Sequence, residues 1–143
     1  MKRTKRNNKG FSLVELIIVI AIMAILAGVL APQFVKYINR SRKSTDIQNA
    51  QQIATAISAE FADTATTAAI AEQEITDGKA KWNGDTAEGS TARTQQEVLG
   101  GVPKVKAPSG NFSYSVSKDG EVTVKVGETE LYPEAKGDWA ESK

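Results

Sequence analysis

The sequence predicts an α+β fold: one long N-terminal α-helix, residues 11–61, packed on a small antiparallel β-sheet of three or so strands. Three observations predict it. An unbroken apolar block fills residues 11–31. Beyond Pro32, apolar residues recur mainly at three- and four-residue steps as far as Phe61. In the last third, two stretches alternate apolar and polar residues with a period of two.

The chain opens with MKRTKRNNKG, which carries Lys2, Arg3, Lys5, Arg6 and Lys9 and no acid. The apolar block FSLVELIIVIAIMAILAGVLA follows, with Glu15 as its only charge. As a helix, its 21 residues rise about 31 Å, close to the thickness of a bilayer core. Five leading cations predict that residues 1–10 stay in the cytoplasm and the C-terminal part is translocated. A secretory signal puts its small-residue cleavage site after the apolar run. Here the small residue, Gly10, comes before it, so a cut after Gly10 removes the charges and keeps the apolar helix. A lone carboxylate in hydrocarbon costs a few kcal/mol and calls for a partner. The next basic residue is Lys36, about five turns away. Cleavage would create an α-amine at Phe11, one turn from Glu15, able to compensate it within a chain or between neighbours.

Pro32 lacks an N–H and frees the carbonyl of Gly28. It either ends the membrane helix or kinks it, and the resumed periodicity favours a kink. Phe34, Ile38, Ile47, Ala50, Ile53, Ala54, Ile57 and Phe61 form the apolar face, and Arg40, Arg42, Lys43, Asp46, Gln48, Gln52 and Glu60 the opposite one. Lys36, Arg40, Arg42 and Lys43 cluster just beyond the block. They suit lipid headgroups, acids on a neighbouring subunit, or plain solvation.

Residues 62–94 are rich in Ala, Thr and Gly; 65–75 reads as a short helix, the remainder as loop anchored by Trp82. Gln95 to Leu99 reads as a helical turn closed by Gly100 and Gly101, and Pro103 and Pro108 bound an extended approach. Phe112, Tyr114 and Val116 then alternate with serines, and Val122, Val124 and Val126 with Thr123 and Lys125. A two-residue turn at Asp119-Gly120 would set the two apolar faces on opposite sides. A three-residue loop, Lys118-Asp119-Gly120, pairs Val116 with Val122, Tyr114 with Val124 and Phe112 with Val126. The expectation is a type I turn with a G1 bulge and a left-handed Gly120. A two-residue turn at Gly127-Glu128 would pair Val124 with Leu131. The meander thus covers 111–118, 121–127 and 129–133. The tail, 134–143, reads as loose and polar, with Trp139 as its one docking residue.

Composition narrows the function. The first ten residues hold five of the 18 basic residues and none of the 17 acids, so residues 11–143 carry 13 basic and 17 acidic residues. That net of −4 argues against nucleic acid as the main ligand. With no Cys and no His, thiol chemistry, disulfides, His-based catalysis and common zinc sites are excluded. Acid pairs such as Asp85/Glu88 and Asp119/Glu121 fit no EF-hand pattern. No enzyme activity, cofactor or metal is expected. Asn39-Arg40-Ser41 and Asn111-Phe112-Ser113 match the glycosylation sequon, a pattern common by chance.

Lys9-Gly10-Phe11-Ser12-Leu13-Val14-Glu15-Leu16 resembles the prepilin-type cleavage and methylation motif of type IV pilins, and Gly10, Phe11 and Glu15 match it position for position. The resemblance implies that a membrane prepilin peptidase/methyltransferase cuts between Gly10 and Phe11 and methylates the new N-terminus. It implies that Glu15 pairs with the terminal amine of an adjacent subunit, and it places Pro32 at the family's helix kink. A long helix on a small antiparallel sheet is similar to the pilin fold, and the cysteine-free head ending in VKVG and LYP is similar to clostridial, Gram-positive type IV pilins.

The implied organisation is a cleaved leader, 1–10, a helix, 11–61 (11–31 transmembrane and filament core, 32–61 amphipathic), and a head, 62–143. The implied function is the structural subunit of an extracellular type IV pilus. It would be held as a single-pass membrane protein with its N-terminus cytoplasmic, then polymerised by a pilus assembly platform into a helical homo-oligomer. Adhesion, motility, biofilm formation and DNA uptake all suit such a filament. The alternatives are a pseudopilin of a type II secretion or DNA-uptake system, or a membrane-anchored binding module that does not polymerise.

Overall fold

A computed structural model describes residues 10–64, 67–87, 90–107 and 110–142. Residues 1–9 of the expected leader, Glu88 and Pro108 lie outside these. Helix α1 runs Leu13–Asp63 and continues through Pro32, so it does not end there. The chain divides into two compact units, Met1–Ile38 and Asn39–Lys143.

In the first unit, residues 10–37 are exposed all round. A helical segment that is apolar and exposed on every side is suited to another apolar medium.

The second unit has a core. From α1 it takes Ala50, Ile53, Ala54 and Ile57, which meet Trp82, Phe112, Tyr114, Val124 and Leu131. Full burial of each large aliphatic or aromatic side chain contributes about 1.5–3 kcal/mol. Burial also pushes the Tyr114 phenol up to about 12, against a smaller opposing effect of Gln95. The phenol donates to the Trp82 carbonyl, and Trp82 is buried, anchoring its loop as its sequence context suggests.

Four strands form one antiparallel sheet in the order β1 (Ile70–Glu74), β2 (Phe112–Val116), β3 (Val122–Val126) and β4 (Thr129–Tyr132). The β2–β3 register matches the parity argument: Val116 faces Val122, Tyr114 faces Val124 and Phe112 faces Val126. The Gly120 N–H donates to Ser117 O at 3.1 Å and the Ser117 N–H to Glu121 O at 2.9 Å. Gly120 has φ +81°, the left-handed residue of the turn.

Three expectations need correction. First, part of the short helix expected over 65–75 is β1, the fourth strand of the expected small sheet. Ile70 of β1 and Ile75 just past its end are both buried, five apart, which would put them on opposite faces of a regular strand. A bulge between Ile70 and Gln73 restores the parity. Ile70 then faces Val116, and the Ile75 N–H donates to Phe112 O at 2.7 Å. Pairing with β2 overrides the alanine-rich local preference.

Second, the turn at Gly127-Glu128 forms, with Val126 opposite Thr129, but Val124 pairs with Tyr132 rather than Leu131. Leu131 is the extra residue of this irregular step, and the ladder ends one pair later because Pro133 cannot donate to it. Third, the tail is not loose. A 3₁₀ helix, η1, spans Gly137–Ser142, and Trp139 packs against the core. Lys43 Nζ sits 5.3 Å from the Trp139 ring centroid and donates to Asp138 O at 3.1 Å.

The expected helical turn is α2, Gln95–Leu99. Thr94 caps it in a capping box with Glu97, and Gly100 closes it at φ +68°. Hydrogen bonds from Thr94 hold the Glu97 carboxyl below its usual range. Each sheet edge accepts a hydrogen bond from outside the sheet. The Lys136 N–H donates to Glu130 O of β4 at 2.9 Å, and Gln95 Nε2 donates to Glu74 O of β1 at 3.2 Å.

Candidate assembly site

The four residues singled out in the sequence lie on the first unit. Gly10 and Phe11 precede α1, outside regular secondary structure, and Phe11 is 92 % exposed. The junction between them is therefore accessible backbone outside any helix. Ser12 is the residue from which α1 springs, its carbonyl accepting from the Leu16 N–H at 3.2 Å. Glu15 sits in the first turn and reaches back, its Oε2 accepting the Ser12 N–H at 3.2 Å. This is one half of an S-x-x-E capping box. A carboxylate there also meets the positive end of the helix macrodipole.

The structure thus brings Glu15 to the backbone one residue from Phe11. Pro32 lies 17 residues further along, away from that cluster. Between them runs a surface of exposed Leu, Ile, Val, Ala and Met side chains. Chemically this end can present two things: a carboxylate and an extended apolar cylinder.

In the second unit, two acids assigned to the solvent face of α1 are buried, which corrects that assignment. Asp46 is 0 % exposed and accepts the N–H of Lys106 at 2.7 Å and of Ala107 at 2.8 Å. Glu60 is 7 % exposed and accepts Arg93 Nη1 at 2.7 Å, while Arg93 Nη2 donates to Glu97 O at 2.8 Å. These clamps fix the segment before β2 and the α2 region to the helix. Residue phase could have revealed them. Asp46, Ala50, Ile53, Ile57 and Glu60 repeat at alternating four- and three-residue steps, so both acids lie on the core stripe.

Comparison with known proteins agrees with this geometry. Residues 5–31 match the family model of the prokaryotic N-terminal methylation motif. The type IV major fimbrial protein of Dichelobacter nodosus is 47 % identical over 53 residues, 37 % of this chain and 34 % of that protein. The type IV major pilin protein of Myxococcus xanthus is 38 % identical over 63 residues, 44 % of this chain and 29 % of that one. The alignments thus span about a third of these two relatives. Prepilin peptidase-dependent protein A of Clostridium perfringens is 32 % identical over 127 residues, 85 % of this chain and 88 % of that protein. No solved structure matches the chain.

Fold and site together define a class: a helix-and-sheet protein whose N-terminal helix is apolar on all sides and begins on a single acid. The chain belongs to the type IV pilin family.

Proposed function

We propose that this chain is the structural subunit of an extracellular type IV pilus rather than an enzyme. The observation that carries the reading is the first turn of α1, where Glu15 lies four residues after an exposed Gly10-Phe11 junction, at the head of a fully exposed apolar helix. A prepilin peptidase/methyltransferase cuts between Gly10 and Phe11 and methylates Phe11. Before assembly, residues 11–31 span the membrane once, with the N-terminus cytoplasmic and the head outside. Pro32 is the proposed kink. During assembly the helix leaves lipid for the helices of other subunits, because both media are apolar. Glu15 pairs with a neighbour's new amine and sets the register.

The relatives named as a major fimbrial protein and a major pilin support a filament over a pseudopilin. Mass spectrometry of the mature N-terminus tests processing: a methylated Phe11 is expected, and an intact Met1 would refute it. Electron microscopy of intact cells tests whether surface filaments form.

A further inference from the structure

We infer that the segment just beyond the membrane span is an anionic-lipid anchor, in which Lys36, Arg40 and Arg42 bind phospholipid headgroups while the subunit is stored in the membrane. The inference rests on the reading that residues 11–31 span the bilayer.

The charge pattern comes first. No acid occurs between Leu16 and Thr45, a stretch holding Lys36, Arg40, Arg42 and Lys43. Lys43 is already engaged by Asp138 and the Trp139 ring. Lys36, Arg40 and Arg42 are exposed, and none forms an ion pair among the described residues. Three uncompensated cations therefore fall within seven residues of α1. Residues 11–143 otherwise hold 10 basic and 17 acidic residues. A negative surface would attract this flank and repel the rest.

Placement comes second. Lys36 lies five residues past Ala31, about 8 Å of helical rise, which is headgroup depth. Phe34 is 62 % exposed and Tyr37 is 70 % exposed, and aromatic residues favour that boundary. Long Arg side chains reach back toward it.

Direction comes third, and it separates lipid from a second copy. Arg40 and Arg42 are two residues apart, about 200° around the helix, so they project to nearly opposite sides. One acidic patch on a neighbour could meet only one of them. A charged lipid surface surrounds the helix, and its potential reaches both side chains within about a Debye length.

The test uses the absence of native cysteine. Full-length Ser41→Cys carries an environment-sensitive fluorophore between the two arginines. It is reconstituted in phosphatidylcholine vesicles, or in vesicles with a third of that lipid replaced by phosphatidylglycerol. Anionic lipid should shift emission to the blue, and salt should reverse the shift because screening shortens to a few ångströms. Each cation should change the bound-to-free ratio about fivefold. Adding K36Q, R40Q and R42Q together should abolish the lipid dependence.

Equal emission in both vesicle types, or an unchanged shift in the triple variant, overturns the anchor. A shift that needs only subunit crowding in pure phosphatidylcholine also overturns it and assigns the cations to a second copy. Flotation separates the two readings: a chain that floats with neither vesicle fails the membrane-span reading, whereas one that floats with both but ignores lipid charge fails this one alone.

Discussion

Residues 10–38 and 39–143 solve the burial problem in opposite ways. The second unit closes a core of its own, with Ile53, Ile57, Phe112, Tyr114 and Val124 almost wholly removed from water. The first leaves Ile17, Ile20, Leu26, Val29 and their neighbours exposed among the described residues. At about 25 cal/mol per Å² of apolar surface, such a helix has far more to gain from its surroundings than the whole domain's net stability. The head carries its stability internally, and the helix receives it from whatever surrounds it.

The sharpest way to break that contrast is Glu15→Ala. Filament yield should collapse while a folded, membrane-held subunit persists; normal yield, counted by electron microscopy, would remove Glu15 from assembly. Asp46→Ala should do the opposite. It orphans the buried Ala107 N–H and the part-buried Lys106 N–H and should lower head stability by about 2–5 kcal/mol. Denaturant unfolding followed by Trp fluorescence reads this directly, since Trp82 and Trp139 both lie in the second unit. A loss below about 1 kcal/mol would show that the clamp contributes little.

Gly120→Ala puts a Cβ on a left-handed residue and should cost about 1 kcal/mol. The smallest effect concerns Glu72, whose carboxyl is held below its ordinary 4.5 chiefly by Lys125, with Ser113 adding to it. A lowered folded value means that the stabilisation is complete above 4.5 and is lost as pH falls through the folded value. Glu72 is exposed and Lys125 half-buried, so solvent still screens the pair. Unfolding midpoints measured across the acid range should fall slightly less steeply for Glu72→Gln than for the parent chain.

Legibility in the sequence followed the range of the interactions. The β2–β3 register was readable because parity and a three-residue loop are local. The membrane-length block and the Glu15 position were readable for the same reason. β1 was not, because its partner lies about 40 residues away and the buried Ile70 and Ile75 keep step only through a bulge. Asp46 and Glu60 were misplaced because charge suggested solvent. Their partners, 60 and 33 residues distant, left no local trace apart from phase. The half-capping bond from Ser12 to Glu15 was legible as S-x-x-E, yet the more unusual acid-in-lipid problem overshadowed it.

The hydrogen bonds at the sheet edges have a consequence for crowding. A subunit kept at high density in one plane meets copies of itself constantly, and an open strand edge would recruit them as cross-β stacks. Here Lys136 donates to β4 and Gln95 to the rim of β1, while the bulge and the acids Glu72 and Glu74 roughen that rim further. These features disfavour strand addition at either edge.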